Sequence, residues 1–179
     1  MLHSIDLLRG YIESHPDNIP LQKWWAQYAE SQDEPMLALQ YHQRAKDHVG
    51  MVRVLCRYDE MERALAIAEE DPSGAAHYMI ATHFEQRARP QEAITYYCKA
   101  RCIAHAVRLA QDAGLQDALF DAALLANASI QVKIARHFES LGNIDRAVCL
   151  FHKANRPQHA LALAQAHQAV HQAADTRPL

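Results

Sequence analysis

Apolar residues of two sizes recur along this chain in a fixed order. Within MIATHFEQRARPQEAITYYCKARCIAHAVRL (79–109), Ala81, Phe84, Ala93, Tyr97 and Ala100 mark where two antiparallel helices would approach closely and where a large side chain would fill the gap. Ala135, Phe138, Ala147, Phe151 and Ala154 repeat the order about 54 residues later. Ala26, Ala38 and Ala45 form a weaker copy about 55 residues earlier, in which Ala29 stands for Phe84 and His42 for Tyr97. A fixed period of this length is the signature of a stacked helical repeat.

The same pattern predicts twelve helices and no strands, since no segment alternates with a period of two. The first is Ile5–Ser14, with Ser4 as its N-cap, broken by HPDNIP (15–20) and its two prolines. The second, Leu21–Gln32, carries Trp24 and Trp25. Adjacent indoles point about 100° apart on a helix, so one is expected in the core and the other over the preceding helix or at an interface. Helices follow at Pro35–Asp47, Val49–Arg57 and Glu60–Glu70, then Asp71-Pro72-Ser73-Gly74 ends the run. The next four are Ala75–Arg87, Gln91–Arg101, Ile103–Ala113, closed by Gly114 in a left-handed cap, and Leu115–Ala126. Ile130–Leu141 and Ile144–Ala154 form a hairpin around Gly142-Asn143, with Asn143 as N-cap. Pro157–Gln172 is the last helix, and ADTRPL (174–179) is expected to fray. Each period holds two hairpins, a tetratricopeptide-like one and a shorter one. Each hairpin has two apolar sides, so neighbours must stack.

Composition agrees with this reading. Half of the 179 residues are apolar but only 7% are aromatic, and glycine is scarce. A formal charge of −3 with dispersed basic residues gives no footprint for nucleic acid. No apolar run has the length of a transmembrane segment, and MLHSIDLLRG lacks the regions of a signal peptide. The four cysteines (Cys56, Cys98, Cys102, Cys149) read as reduced, buried thiols, which suits a cytosolic compartment.

The residue types able to do chemistry fall at packing or surface positions. Among the twelve histidines, His167 and His171 share a helix face, His77 and His83 bracket a turn, and His152 and His159 straddle a helix junction. Zinc requires three or four ligands, and neither CxxC nor HExxH occurs. The histidines read as surface groups plus a few packed in hairpins. His105 and His159, at equivalent repeat positions, read as turn residues. Cys149 near His152 is the only close Cys/His pair on one helix face, and it lies among packing residues. The isolated glycines form no phosphate loop. Glu85 and Glu139, also equivalent, read as solvated or paired with Arg87 or Arg136, and Glu69-Glu70-Asp71 reads as a solvated helix end. Tyr97 has the packing phase, and Tyr96 is expected to be half buried. No catalytic, cofactor-binding or metal-binding residue is assigned, and the chain reads as a protein other than an enzyme.

The strings LLRGYIE (7–13), WWAQYAESQ (24–32), MVRVLC (51–56), ATHFEQ (81–86), AVRLAQDAGLQDALFDAAL (106–124) and DRAVCLFHKA (145–154) resemble the intraflagellar transport protein 140 family, core subunits of intraflagellar transport complex A. Family members are longer and start with two WD-repeat propellers. No Gly-His or Trp-Asp blade signature occurs here, so the chain resembles part of their helical half, the C-terminal tetratricopeptide-like region. QAVHQAADTRPL (168–179) falls outside the resemblance.

The fold expected is all-α, a right-handed α-solenoid of antiparallel tetratricopeptide-like hairpins over residues 1–172, with 173–179 a flexible tail. The resemblance implies a non-catalytic scaffold in complex A, supporting dynein-driven retrograde transport and ciliary entry of membrane-protein cargo. The implied partners are the other complex A subunits, which are helical-repeat and WD-repeat proteins. Membrane cargo or its adaptors would be reached indirectly, and neither nucleic acid nor a membrane span is implied. The implied location is the cilium or flagellum, the basal body and the cytoplasm. Two readings compete: a tetratricopeptide adaptor and a vesicle-coat-type solenoid, both outside the cilium. The adaptor needs a clamp of cations along its groove, and Lys99, Lys133 and Lys153 do not form a periodic one.

Overall fold

Strong helix formers, with prolines only at segment starts and between segments, produce a structure in which every described element is an α-helix. The computed structural model describes residues 2–175, with side chains over residues 7–169. The chain divides into two compact units, Met1–Arg89 and Pro90–Leu179. The first holds α1 (Leu2–Glu13), α2 (Ile19–Ser31), α3 (Pro35–Arg44), α4 (His48–Arg57), α5 (Met61–Glu69) and α6 (Ala75–Gln86). The second holds α7 (Pro90–Lys99), α8 (Ile103–Asp112), α9 (Gln116–Leu125), α10 (Ala128–Ser140), α11 (Ile144–Lys153) and α12 (Pro157–Asp175). Of the tail expected at 173–179, residues 176–179 lie outside the described residues.

Consecutive helices within each unit pack on one another, and α4 also packs on α6, α7 on α9 and α9 on α11. All three copies of the small-residue pattern are buried. Ala26, Ala38, Ala81, Ala93, Ala135 and Ala147 are fully covered, and Ala29, Ala45 and Ala154 nearly so. Ala100 is the exception, half buried. In the first unit Ile12, Trp25, Ala26 and Tyr41 form a core cluster, with Leu8, Leu21, Tyr28 and Leu37 against it. In the second, Phe120 meets Phe138 edge-on at 6.0 Å, and the Arg146 guanidinium lies over both rings.

One turn closes eight of these helices. A residue with φ between 52° and 74° follows the helix cap: Asp33, Lys46, Asp59, Ala88, Arg101, Gly114, Gly142 and Asn155. The amide after it donates back to the carbonyl five residues earlier, as in Asp47 to His42, Cys102 to Tyr97 and Arg156 to Phe151, each 2.9 Å. This is the Schellman arrangement, which satisfies carbonyls left over at the helix end. In six of the eight the carbonyl used belongs to Ala29, His42, Phe84, Tyr97, Phe138 or Phe151, the positions that set the packing pattern; in the other two it belongs to Leu55 or Ala110. The turn therefore fixes where each packing side chain enters the core.

A buried polar side chain in each copy ties a helix to the end of the one before it. Gln22 Nε2 donates to the Ile12 and His15 carbonyls, and Gln131 Nε2 to the Leu124 carbonyl at 3.5 Å. At the equivalent position His77 Nε2 lies 3.5 Å from Glu69 Oε1.

Three local expectations are corrected. Ser4 lies inside α1, which begins at Leu2, and does not cap it. Pro20 belongs to the first turn of α2, where no amide hydrogen is needed, and Asn18 caps that helix by accepting from Leu21 at 3.2 Å. Asp71 is not merely a solvated helix end. Its carboxylate accepts from Ser73 and from the Ala76 amide at 2.8 Å, organising the start of α6. Burial works to raise the Asp71 pKa, but these hydrogen bonds to the charged form outweigh it and hold the carboxyl below its ordinary value.

Candidate functional site

The position occupied by His42, Tyr97 and Phe151 is filled in two different ways. In the second unit it is aromatic. Tyr97 stacks on His105 with ring centroids 5.3 Å apart, and Phe151 on His159 at 5.9 Å. Both histidines are exposed, near the start of the next helix, where they cover the outer face of the buried ring. The turn role expected of them is thus a stacking role.

In the first unit the slot holds His42, fully buried. Its Nε2 lies 2.7 Å from Glu30 Oε1 and its Nδ1 lies 3.1 Å from Asp47 Oδ2. Carboxylates only accept hydrogen bonds, so the arrangement is satisfied when both ring nitrogens carry hydrogen. Arg53 completes it, with Nε 3.1 Å from Glu30 Oε2 and Nη2 2.7 Å from Oε1. Asp47 also caps α4 through the Gly50 amide and lies 3.8 Å from Lys23 Nζ. Burial alone would raise the Glu30 pKa. The bonds from Arg53 and His42 overcome that and hold the carboxyl below its ordinary value. The same bond to Glu30 raises Arg53, against the effect of burial.

Gly50 makes this possible. It occupies the place that His105 and His159 take in the other copies, and a Cβ there would sit 2.2 Å from His42 Nδ1. The histidine has, in effect, moved from the covering position into the slot.

The remaining candidates are dispersed. Trp25 is buried and stacks on Tyr28 at 5.1 Å, while Trp24 is 48% exposed and lies parallel to Tyr28 at 6.0 Å. That is the division expected of the pair. Tyr97 is buried and Tyr96 half buried under Lys99. Cys149 is exposed and Cys98 and Cys102 are half buried, contrary to the expectation of four buried thiols; the exposed thiol is the clearest departure. It lies on the side of α11 opposite Ala147, Leu150 and Phe151. Cys56 is buried, and burial pushes its thiol up to about 11, away from thiolate chemistry. Arg87, at the end of α6, pairs at 2.7 Å with Asp59 in the turn between α4 and α5. Glu85 is half buried, whereas Glu139, Lys99, Lys133 and Lys153 are exposed. His152 and His167 are exposed on different helices, and the His171 side chain lies outside the described residues. Among the described residues no group of three or more His, Cys, Asp or Glu side chains is placed to hold a metal. No described helix is long and apolar enough to cross a membrane.

Glu30, Asp47, Gly50 and Arg53 were not singled out from the sequence. One signal for Glu30 was present, since it is the third copy of the Glu85 and Glu139 position.

Twelve described helices in a repeating order, with matched turns and matched buried alanines, agree with a comparison against known families. The tetratricopeptide-repeat domain of intraflagellar transport proteins 140 and 172 matches residues 1–176. The chain belongs to this family. The match takes in residues 168–176, which lie outside the strings that carry the resemblance. This tetratricopeptide-repeat domain is a helical-repeat scaffold of intraflagellar transport, and membership places the chain in a cilium-related setting. Within this fold the aromatic and the charged slots each tie a helix to its neighbour beside the turn that closes it.

Proposed function

We propose that this chain is a non-catalytic scaffold segment of intraflagellar transport complex A. It supports dynein-driven retrograde transport and the ciliary entry of membrane-protein cargo, and it works by holding other helical-repeat and WD-repeat subunits in place. It resides in the cilium or flagellum, at the basal body and in the cytoplasm, and reaches membrane cargo through those subunits or their adaptors. The observation that carries the reading is the family match across nearly the whole chain. Large apolar side chains left on the outside of α1 and α2 support it. Leu7, Tyr11 and Trp24 are 75%, 55% and 48% exposed, the kind of residue that protein contacts cover.

The test is an affinity purification of the tagged chain from ciliated cells, with partners identified by mass spectrometry. Recovery of the other complex A subunits is expected. Recovery of vesicle-coat components or chaperones in their place would overturn the assignment and favour a scaffold or adaptor outside the cilium.

A further inference from the structure

The first unit has an open cleft between α2, α4 and α6, floored by Cys56 and Met79 and edged by Glu30, Arg53, Arg57, His83 and Gln86. Its charges are unevenly spent. Both oxygens of Glu30 are already engaged, Oε1 by His42 and Arg53 and Oε2 by Arg53. Arg53 uses Nε and Nη2 for this, its Nη1 makes no hydrogen bond among the described residues, and its side chain stays 40% exposed. Arg57 on the next turn of α4 is exposed and forms no ion pair among the described residues. Of the other acids nearby, Asp59 is taken by Arg87 and Asp33 accepts from the Tyr58 hydroxyl. His83 Nε2, at the cleft wall, is buried with no hydrogen-bond partner among the described residues. Burial and then the charge of Arg87 hold the His83 pKa below its ordinary value, which favours the neutral imidazole at the wall.

We propose that this cleft receives an extended acidic segment of a partner protein, with a carboxylate bridging Arg53 Nη1 and Arg57 and a neighbouring apolar side chain over Met79 and Cys56. A carboxylate matches two guanidinium edges side by side. An apolar residue next to it covers a floor that water satisfies poorly. The proposal rests on the scaffold reading above and gives that scaffold one defined contact.

The experiment uses the purified full chain and a fluorescently labelled, end-blocked peptide of alternating glutamate and leucine, read by anisotropy at low salt. Binding is expected, weakened at least about tenfold by Arg57→Glu and less by Arg57→Lys, and suppressed by added salt. Arg57 is exposed, so circular dichroism of the variants should match the parent. Three results would overturn the proposal: no binding, equal binding of a peptide with glutamine in place of glutamate, or indifference to Arg57→Glu. Binding of a single-stranded oligonucleotide with the same dependence on Arg57 would overturn the choice of a peptide. These outcomes are read on purified components, so a failed purification from cilia would sink the complex A assignment and leave the cleft untouched.

Discussion

At residue 42 the first unit buries a histidine held between two carboxylates, where the second unit buries Tyr97 and Phe151 under stacked histidines. The turn that follows is the same in all three, down to the 2.9 Å bond back to the slot residue's own carbonyl. One backbone therefore accepts two ways of holding a hairpin. The aromatic version relies on area and shape, and it degrades gradually when trimmed. The charged version depends on each of Glu30, His42, Asp47 and Arg53, because removing one leaves another buried without its partner.

The largest effect is expected where neither chemistry can adapt. Ala135→Glu or Ala147→Glu, both fully buried in the α10–α11 hairpin, puts an unpaired carboxylate between closely packed helices. Several kcal/mol should be lost or the hairpin opened, seen as reduced helicity by circular dichroism. Unchanged melting would remove the alanine contacts from the account. Next, Glu30→Ala strands both His42 and Arg53. It should cost about 2–3 kcal/mol in urea unfolding, at the lower end for a broken buried pair because Arg53 still reaches water. Loss below about 0.5 kcal/mol, the scale of an ordinary surface change, would make the network incidental.

Gly50→Ala should cost about 1–3 kcal/mol, since the imidazole it would strike is pinned on both nitrogens. A sharper version transplants the second unit's pair. His42→Phe alone should destabilise, and adding Gly50→His should restore about 0.5–1 kcal/mol through ring stacking, measured as a double-mutant cycle. Strict additivity would mean that the two slots are not equivalent. The smallest effect concerns the shared turn. Lys46, Arg101 and Asn155 hold the same left-handed position, with φ of 52°, 58° and 58°. Lys46→Gly and Arg101→Gly should each stabilise by about 0.5–1 kcal/mol and Asn155→Gly by less, because asparagine already tolerates that conformation.

Much of this was legible in the sequence. Helix existence, the buried alanines, the buried aromatics and the turn at Gly142 follow from spacing and from the conformations that Pro, Gly and Asn permit. Local errors came where one residue type serves two roles. Pro20 both breaks a chain and opens a helix, and Ser4 can cap a helix or sit within it. Cys149 was misjudged by its residue type although its helical phase, opposite Phe151, pointed outward. The charged slot was hidden for a different reason. Glu30 occupies the same repeat position as Glu85 and Glu139, and only its partners distinguish it. His42 arrives from α3, Arg53 from α4, and Gly50 makes room by what it lacks. Such a network exists only once three helices are packed. The Arg53 position carries Arg108 in the next copy, and there the arginine is exposed and pairs within its own helix with Asp112.

The contrast between the two units is tested most directly by hydrogen exchange followed by mass spectrometry along an acid titration. Glu30 has a folded pKa below its ordinary value, so its contribution is present above that ordinary value and is lost as the pH falls through the lowered one. Asp71 behaves in the same sense and belongs to the same unit. As the pH drops below about 4, α2–α4 should lose protection while α10 and α11, held by Phe138, Phe151 and their alanines, still exchange slowly. Opening of α10–α11 first, or of both units at one pH, would contradict the claim that the slot at residue 42 is held by charge and its counterparts in the second unit by packing.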